Sequence, residues 1–538
     1  MRIRCVIGSA MALALVGVGA PAGAAEGDGP DLSRFYDQKF AWASCKVLAG
    51  VLEFPGDMQC GKVTVPLDYA APEKGTIDLF LNRIPASGKK RGSLFLNFGG
   101  PGSAGVPGVA GRAKEFGDLT KSYDVVGFDP RGVGFSSPAT CGDGSDQPSS
   151  ALDGDESTAA DVMDKFTKAY EECKKHSGPV LQHMGTINVS RDLDVMRHNL
   201  GDKKLNFLGF SYGTRLGAVY TAQFPKNTGR LVLDGVDTLT EPLTESSLVG
   251  AQGQQTALDN FVTWCARNEG CPLGANPRDA KENIAKLVTT LKAKPVVAGN
   301  GQEFTGDDLV HSLGEALYGR GNWPYLSQAL TSLITDDDPR SLLRISGSLL
   351  PPDPDPDTGP TGSGEEGPGG ISPVRVMLRT AQEEEPVKPP PDDNSGIALT
   401  AVNCADDPDR LTVADFENDA KFERMARDYA KASPIFGPSA LLQVRMCAGF
   451  PAGTDFVRGI KNVHTPKFLL VGTRGDPATP YRWTVETAKR LGDSAVVLDN
   501  KGDGHGAYFS SKCVKQKVDD FLLYGSQVKS GSSCGSDK

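Results

Sequence analysis

The sequence is poor in histidine and lacks the short motifs of several common functional classes. Its 538 residues include six histidines, so few side chains could serve as a general base near neutral pH. No Cys-x-x-Cys pair is present, and the histidines do not cluster with the cysteines, which argues against a zinc site. The absence of a Gly-x-x-x-x-Gly-Lys-Ser/Thr loop argues against a P-loop nucleotide site. We therefore expect no metal ion and no cofactor.

Basic residues are fewer than acidic residues. The chain has 57 Lys and Arg against 67 Asp and Glu, which gives a net charge of −10. A nucleic-acid-binding protein usually presents a basic face, so the balance argues against a nucleic acid partner. Hydrophobic residues make up 39% of the chain, which is enough for a large core and excludes a wholly disordered protein.

Long apolar runs are confined to the N-terminus. Met1–Arg4 carries two arginines, Cys5–Ala20 is largely apolar, and Ala22–Ala24 forms a small-residue cleavage site. This pattern predicts a secretory signal peptide over residues 1–25. A membrane anchor is the alternative, but the run is short of the ~20 residues that span a bilayer. Because no later segment has 18 unbroken apolar residues, we expect a secreted, extracellular protein without stable membrane association.

Ten cysteines remain after Cys5, and an even number in a secreted chain predicts disulfides. The sequence leaves their connectivity open. Pairing of neighbours is the simplest arrangement, and it gives Cys45–Cys60, Cys141–Cys173, Cys265–Cys271, Cys404–Cys447 and Cys513–Cys534.

Short apolar runs bounded by glycine recur along the chain and predict buried strands. They are Ser93–Phe98, Asp124–Asp129, Leu205–Phe210, Leu231–Asp234, Phe468–Gly472 and Ala495–Asp499. Such continuous apolar strands are typical of a parallel sheet covered on both faces. Helical patterns such as Val189–Leu200 and Arg215–Gln223 lie between them, so we predict an α/β doubly wound fold. Lys62–Val65 and Ile77–Asn82 predict an earlier hairpin.

The strand pattern is interrupted over residues 241–460, which we predict to be an inserted, mainly helical lid domain. Its helical patterns are Leu248–Asn268, Ala280–Ala293, Asp307–Tyr318 and Ala414–Lys431. The insert would divide a core of residues 26–240 and 461–538. Residues 350–373 within the insert are rich in proline, glycine and aspartate, which predicts a disordered surface loop.

Ser211 lies in a Gly-x-Ser-x-Gly pattern, Gly209–Gly213. A predicted strand precedes it and a predicted helix follows, which is the setting of a nucleophile elbow. The alternative for Ser211 is a plain strand-to-helix turn capped by serine. The same pattern recurs at Gly531–Gly535, where no predicted strand precedes it.

A serine hydroxyl is a weak nucleophile and needs a base. His505 follows the last predicted strand in a glycine-rich loop that can reach over the sheet. Asp476 follows the strand before it, so the order Ser211, Asp476, His505 is that of α/β-hydrolases. We therefore predict Ser211 as the nucleophile, Asp476 as the orienting carboxylate and His505 as the base. Asp503 is a weaker rival for the carboxylate, and Asp476 could instead be a turn aspartate before proline.

The glycine-rich segment Gly99–Ser103 follows a predicted strand and could supply backbone donors. A tetrahedral intermediate needs N–H groups directed at its oxyanion, and we expect those of Gly100 and Tyr212. Gly100–Gly105 also matches Gly-x-Gly-x-x-Gly, so dinucleotide binding is an alternative on pattern alone. A secreted protein meets little dinucleotide, which disfavours it.

Five motifs occur in an order shared with one known group, namely Gly99–Gly102, Phe128–Ser136, Gly209–Thr214, Gly475–Pro477 and Gly504–Gly506. From about Phe40 to Cys534 the chain resembles the secreted tripeptidyl aminopeptidases of actinomycetes, relatives of proline iminopeptidases within the α/β-hydrolases. The resemblance implies an α/β-hydrolase fold, with Ser211 as nucleophile, His505 as general base and acid, and Asp476 as orienting carboxylate. It also implies release of tripeptides, or other short units, from free N-termini of peptide substrates.

The chain departs from related iminopeptidases at Phe98, where many have histidine, so that side chain has no oxyanion role. Asn403–Asp407 resembles the cysteine-plus-acid segment of the family. We predict Asp406 as an anchor for the substrate ammonium; a solvated acidic turn is the alternative. Asp129 and Arg131 are expected to be structural.

Two other functions fit the same triad. One is an aminopeptidase that resembles proline iminopeptidases and releases single residues, and the other is a secreted carboxylesterase or lipase. Fold and triad do not separate them, because substrate choice depends on the lid. A non-catalytic binding protein would require a broken triad.

Overall fold

The computed structural model describes residues 30–45, 54–142, 159–348, 388–416 and 419–535. The predicted signal peptide, residues 1–25, and the predicted disordered loop, residues 350–373, lie outside the described residues. Within these ranges the strands, in chain order, are β1 (Ala43–Ser44), β2 (Gln59–Pro66), β3 (Thr76–Ile84), β4 (Gly92–Asn97), β5 (Tyr123–Phe128), β6 (Leu205–Phe210), β7 (Thr228–Asp234), β8 (Val296–Val297), β9 (Glu303–Phe304), β10 (Phe468–Gly475), β11 (Ala495–Asp503) and β12 (Ser533–Cys534).

Ten of these strands form one sheet in the order β1-β2-β3-β5-β4-β6-β7-β10-β11-β12, as far as the described residues show. Neighbours from β5 to β12 are parallel, and β1, β2, β3 and β5 pair antiparallel. The mostly parallel sheet and the early hairpin are therefore confirmed. The strand order differs from the 3-2-1-4-5-6 order of the dinucleotide-binding fold, so the sheet does not support that alternative.

The central strands form because their residues suit complete burial. Every residue of β4 and β5 is buried, and five of the six in β6 are. Valine, leucine and phenylalanine dominate these strands, as expected where helices cover both faces of a parallel sheet. The six predicted strands coincide with β4, β5, β6, β7, β10 and β11, with ends shifted by up to four residues.

Helices cover the sheet and fill the insert. In the described part of the chain they are α1 (Ser33–Tyr36), α2 (Gly105–Gly111), α3 (Ala159–Ser177), α4 (Thr186–Asn199), α5 (Tyr212–Gln223), α6 (Leu243–Ala266), α7 (Pro277–Ala293), α8 (Gly306–Leu317), α9 (Trp323–Asp336), α10 (Arg340–Ile345), α11 (Asn394–Asp406), α12 (Val413–Phe416), α13 (Asp419–Ala432), α14 (Gly437–Gln443), α15 (Phe456–Gly459), α16 (Tyr481–Leu491) and α17 (Lys512–Tyr524). The predicted helix Ala414–Lys431 is helical in its described residues, which belong to α12 and α13, and residues 417–418 lie outside the described residues.

The described residues of the predicted lid, 241–460, include an apolar cluster separate from those of the sheet. Helices α6 to α9 meet there around Phe261, Leu313 and Trp323. Helix α11 belongs elsewhere, since Ala398 and Val402 pack into the apolar cluster of the sheet. Small apolar residues one helical turn apart allow this close approach. The lid is therefore joined to the core by a helix that ends at the predicted amine anchor.

All five predicted cysteine pairs are disulfides in the structure: Cys45–Cys60, Cys141–Cys173, Cys265–Cys271, Cys404–Cys447 and Cys513–Cys534. The fourth fastens the end of α11 to the segment after α14. Among the described residues, no helix has the length and apolar character that crossing a membrane requires.

Asp129 and Arg131 have structural contacts at the edge of the sheet. Arg131 is fully buried and donates to Asp192, at 2.6 and 2.7 Å, and to the backbone carbonyl of Pro66 at the end of β2. Asp129 accepts the N–H groups of Val106 and Phe135 at 2.9 Å. Burial raises the pKa of Asp129 to about 7, although those N–H groups favour its ionised form. These contacts fix the loops at the ends of β4 and β5.

Candidate active site

Ser211 lies at a sharp turn between β6 and α5. Its backbone has φ 55° and ψ −126°, a left-handed conformation that places its hydroxyl at the top of the sheet. A Cβ atom on Gly209 would lie 2.5 Å from the carbonyl oxygen of Gly213. A Cβ atom on Gly213 would lie 2.8 Å from the carbonyl oxygen of Asn97. The two glycines are thus required by the elbow, as the motif indicates.

The loop after β4 lies directly against this elbow. Gly99 and Gly100 have φ values of 90° and 98°, and a Cβ atom on Gly99 would lie 2.7 Å from the Cβ atom of Ser211. Tyr212 is the first residue of α5, so its N–H has no partner within the helix. Gly100 and Tyr212 line one cavity together with Ser211. The predicted oxyanion donors are therefore next to the nucleophile.

His505 and Asp476 are hydrogen-bonded to each other. Nδ1 of His505 lies 2.9 and 3.1 Å from the two carboxylate oxygens of Asp476. Asp476 is buried and also accepts the N–H groups of Thr479, at 2.8 Å, and Gly506, at 3.0 Å. His505 and Ser211 line the same cavity. The structure thus brings the three predicted triad residues together.

Asp503, the rival carboxylate, is bound elsewhere. It accepts hydrogen bonds from Asn260 and Arg320, both at 2.8 Å. Asn260 belongs to α6 and Arg320 follows α8, so the Asp503 side chain binds these two elements and not the imidazole of His505.

The charge of Asp476 sets the protonation of His505. Burial lowers the pKa of the imidazole, but the hydrogen-bonded carboxylate of Asp476 and the charges of Asp234 and Asp237 together outweigh burial and raise the pKa above its ordinary value of 6.5. Only the neutral imidazole can accept the Ser211 proton. We therefore expect kcat/KM to fall as the pH decreases through a pKa above 6.5. A pH profile of kcat/KM on the free enzyme measures this pKa, and a midpoint at or below 6.5 would contradict the expectation.

Asp234 positions the loop that carries His505. It ends β7, is buried, and accepts the N–H groups of Ala507, at 2.9 Å, and Tyr508, at 2.8 Å. Burial raises the pKa of Asp234 to about 6, against the effect of the two N–H groups. Our sequence reasoning missed this role. The sequence feature that could have indicated it is the position of Asp234, an aspartate at the carboxyl end of a buried strand.

The lid also touches the base directly. The carbonyl of Tyr318, just after α8, accepts the N–H of His505 at 2.8 Å, and Gly319 pairs with Gly504. The Tyr318 ring packs edge-on against the imidazole, with ring centres 5.1 Å apart. No local sequence pattern indicates this contact. The lid thus helps to hold His505 in place.

A cavity of about 310 Å³ beside Ser211 is rich in acid. Its described lining includes four carboxylates and two guanidinium groups, those of Asp237, Glu241, Asp406, Asp407, Arg215 and Arg458. Glu241 is buried and paired with Arg482, so three other carboxylates remain against two guanidinium groups, and the lining carries a small excess of negative charge. Such an environment favours a cationic group such as an N-terminal ammonium.

Asp406, the predicted amine anchor, lines this cavity but is largely engaged by protein groups. It accepts the N–H of Thr186 at 2.8 Å and its hydroxyl at 2.5 Å, and Arg215 lies 3.4 Å away. Burial raises the pKa of its carboxyl group, although Arg215 and Thr186 favour the charged form. Asp406 thereby fastens α11 to α4 and α5.

The side chains of Asp237 and Asp407 are more exposed than that of Asp406. Their side chains are 13% and 16% exposed, against 3% for Asp406. Asp237 binds Arg215 at 2.8 Å, and Asp407 accepts the N–H of Leu243 at 2.8 Å. A carboxylate offers about four acceptor positions, so both retain capacity for a ligand.

Two protein-family models match this chain, and each covers a different part of the candidate site. A family model described as "alpha/beta hydrolase fold" matches residues 94–314, which include Ser211, and one described as "TAP-like protein" matches residues 433–534, which include Asp476 and His505. The tripeptidyl aminopeptidase of Streptomyces lividans is 30% identical over 505 residues, covering 90% of this chain and 84% of its own.

Two mycobacterial proteins are similar over comparable lengths. Serine protease Hip1 of Mycobacterium tuberculosis is 32% identical over 550 residues, covering 98% of this chain and 96% of its own. A protein of the same species named carboxylesterase B is 30% identical over 505 residues, covering 92% and 89%. The chain therefore belongs to the TAP-like family of the α/β-hydrolase superfamily.

Proposed function

We propose that this protein is a serine exopeptidase that releases tripeptides, or other short N-terminal units, from peptides with a free N-terminus. The observation that carries the proposal is the cavity beside Ser211, where Asp237, Asp406 and Asp407 line the same space as two guanidinium groups. A peptidase that requires a free N-terminus must stabilise an ammonium close to the scissile bond. Similarity to a tripeptidyl aminopeptidase and to a serine protease supports the same class of reaction.

The reaction follows from the positions of the triad. Ser211 Oγ attacks the scissile carbonyl while Nε2 of His505 takes its proton, and Asp476 stabilises the resulting imidazolium. The N–H groups of Gly100 and Tyr212 stabilise the oxyanion of the tetrahedral intermediate. His505 then returns the proton to the leaving amine, which leaves an acyl-enzyme on Ser211. Water, deprotonated by His505, releases the short peptide.

The lid limits the space for the acyl part of the substrate. Gly250 and Ala251 of α6, Leu399 of α11, and Val457 all line the acidic cavity. A chain that enters from the nucleophile therefore meets lid helices within a short distance, which supports release of a short unit. Within this cavity we assign the direct contact with the ammonium to Asp237 and Asp407. Asp406 contributes only through the electrostatic attraction of its carboxylate at a longer distance.

The proposal is tested with Ala-Pro-Ala p-nitroanilide and its N-acetylated twin. We expect kcat/KM to be about 10- to 100-fold higher for the free peptide, because hydrogen bonds to charged groups contribute that much. Asp407→Asn should reduce this ratio, whereas Asp428→Asn, at an exposed acid on α13, should keep it. Equal cleavage of the free and acetylated peptides would contradict the amine requirement.

An esterase is the second candidate, because a similar protein is named a carboxylesterase and the triad suits esters equally well. Turnover of a p-nitrophenyl ester without any peptide cleavage would favour it. Release of p-nitroaniline from a single-residue anilide would instead indicate activity like that of proline iminopeptidases.

We also propose an extracellular location. Disulfides persist in oxidising compartments, and the described residues contain five. The predicted signal peptide supports the same location.

A further inference from the structure

Ser211 lies between two cavities. One is the acidic cavity described above. The other, of about 460 Å³, is lined by His505 and by aromatic residues. Ser211 and Tyr318 line both, so the two cavities meet at the nucleophile and beneath the lid.

The position of His505 tells which part of a substrate each cavity receives. The imidazole must give its proton to the leaving amine, so the leaving chain lies on the His505 side of Ser211. The acyl part, with its N-terminal ammonium, then extends into the cavity that contains the carboxylates and that His505 does not line. The aromatic cavity is therefore in position to receive the residue that follows the scissile bond.

Three phenylalanines form a wall of this cavity. The rings of Phe98 and Phe210 are stacked with centres 5.8 Å apart, and Phe509 lies 5.0 Å from Phe210. Phe509 is 42% exposed, and Phe98 is half-buried. Phe210 is buried behind them, and aromatic rings that line a cavity are typical of sites that bind apolar groups. The wall suits a flat or bulky apolar side chain.

Arg112 lies over this wall. Its guanidinium is 5.3 Å from the centre of the Phe98 ring and 5.6 Å from that of Phe509, and the residue is exposed. Within the described ranges, no carboxylate forms an ion pair with it. The other guanidinium of the cavity, Arg320, is paired with Asp503 at 2.8 Å. Arg112 thus has its charge available for an anionic ligand.

The remaining acid of the cavity does not compete for that charge. Asp234 is buried and accepts the N–H groups of Ala507 and Tyr508. A short peptide carries an ammonium at one end and a carboxylate at the other. The acidic cavity and the cavity that Arg112 lines meet at Ser211, so each end of a short peptide has a group of opposite charge in a different cavity.

We propose that the aromatic cavity binds the leaving residue of the substrate, that it prefers a large apolar or aromatic side chain there, and that Arg112 binds the α-carboxylate when this residue is the last. The inference deepens the proposed function and rests on it, because a leaving residue exists only if peptides are cleaved. It identifies short peptides, tetrapeptides above all when a tripeptide is released, as the substrate class.

The test compares three tetrapeptides: Ala-Pro-Ala-Phe, its C-terminal amide, and Ala-Pro-Ala-Gly. We expect kcat/KM for the phenylalanine peptide to exceed that for the glycine peptide by at least about tenfold, from burial of the ring. We expect kcat/KM for the acid to exceed that for the amide by about two- to fivefold, the upper part of the range for an exposed ion pair. Arg112→Gln should bring the acid-to-amide ratio to about one, and Arg112→Lys should restore part of it.

Arg278→Gln is the matched control, because Arg278 is an exposed arginine on α7, outside both cavities. This variant should have the same acid-to-amide ratio of kcat/KM as the wild type. Ala-Pro-Ala p-nitroanilide, which has no carboxylate, reports the proposed function separately. Tripeptide release from the three tetrapeptides at equal rates would overturn the inference alone. Cleavage of neither the anilide nor any tetrapeptide would overturn the proposed function and the inference with it.

Discussion

Replacing Ser211 by alanine should lower kcat for the tripeptide anilide by about a millionfold, the loss seen when a serine nucleophile is removed from a triad. The elbow, His505 and the backbone donors remain, but no atom is left to form the acyl-enzyme. Alanine has the same Cβ as serine, so the left-handed backbone at position 211 accommodates it equally well. The measurement is single-turnover release of p-nitroaniline, with thermal unfolding to show an unchanged fold.

Ser533→Ala is the matched control, because Ser533 is the central serine of the second Gly-x-Ser-x-Gly pattern and lies in β12. We expect this variant to keep wild-type kcat. Loss of activity in Ser533→Ala together with full activity in Ser211→Ala would refute the assignment of the nucleophile.

Replacing Asp476 by asparagine should lower kcat by about 10,000-fold, the effect of the same change in a serine protease triad. An asparagine amide can donate to Nδ1 of His505, which leaves the proton on Nε2 and removes the base that faces Ser211. The side chain also accepts N–H groups from Ala478, Thr479 and Gly506, so a single amide oxygen would hold this loop less firmly. Steady-state kinetics at saturating substrate measures the loss.

The pH dependence of the residual activity separates a charge effect from a folding defect. The Asp476 carboxylate raises the pKa of His505, so the acid limb of kcat/KM should move to lower pH in Asp476→Asn. Asp503→Asn is the comparison, because Asp503 binds Asn260 and Arg320 instead of the imidazole. A larger loss of kcat in Asp503→Asn than in Asp476→Asn would assign the triad carboxylate to Asp503.

Much of the central sheet could be predicted from sequence because parallel strands buried on both faces are continuous apolar runs. Leu205–Phe210 was predicted with its observed bounds, and Phe468–Gly472 was short by three residues. Helix α11 was missed, since its small and polar residues give a weak apolar stripe. Ser211, Asp476 and His505 could be located because each follows a strand that the pattern shows.

The contacts that tune the site could not be predicted, because they join residues that are distant in sequence. Tyr318 meets His505 from the lid, and Arg112 meets Phe509 from another part of the core. The family motif indicated Asp406, but no pattern showed that Thr186 and Arg215 already engage its oxygens. Packing of the whole chain determines such contacts.

The connectivity of the five disulfides bears on how the chain matures. Each of these cysteines is bonded to the next one or the previous one along the sequence, and no ring overlaps another. A chain that emerges N-terminus first presents these thiols in pairing order, so each meets its native partner before any later competitor exists. Oxidation in step with emergence then yields the native set without reshuffling by a disulfide isomerase. A fully reduced chain loses this ordering, because all ten of these thiols compete at once.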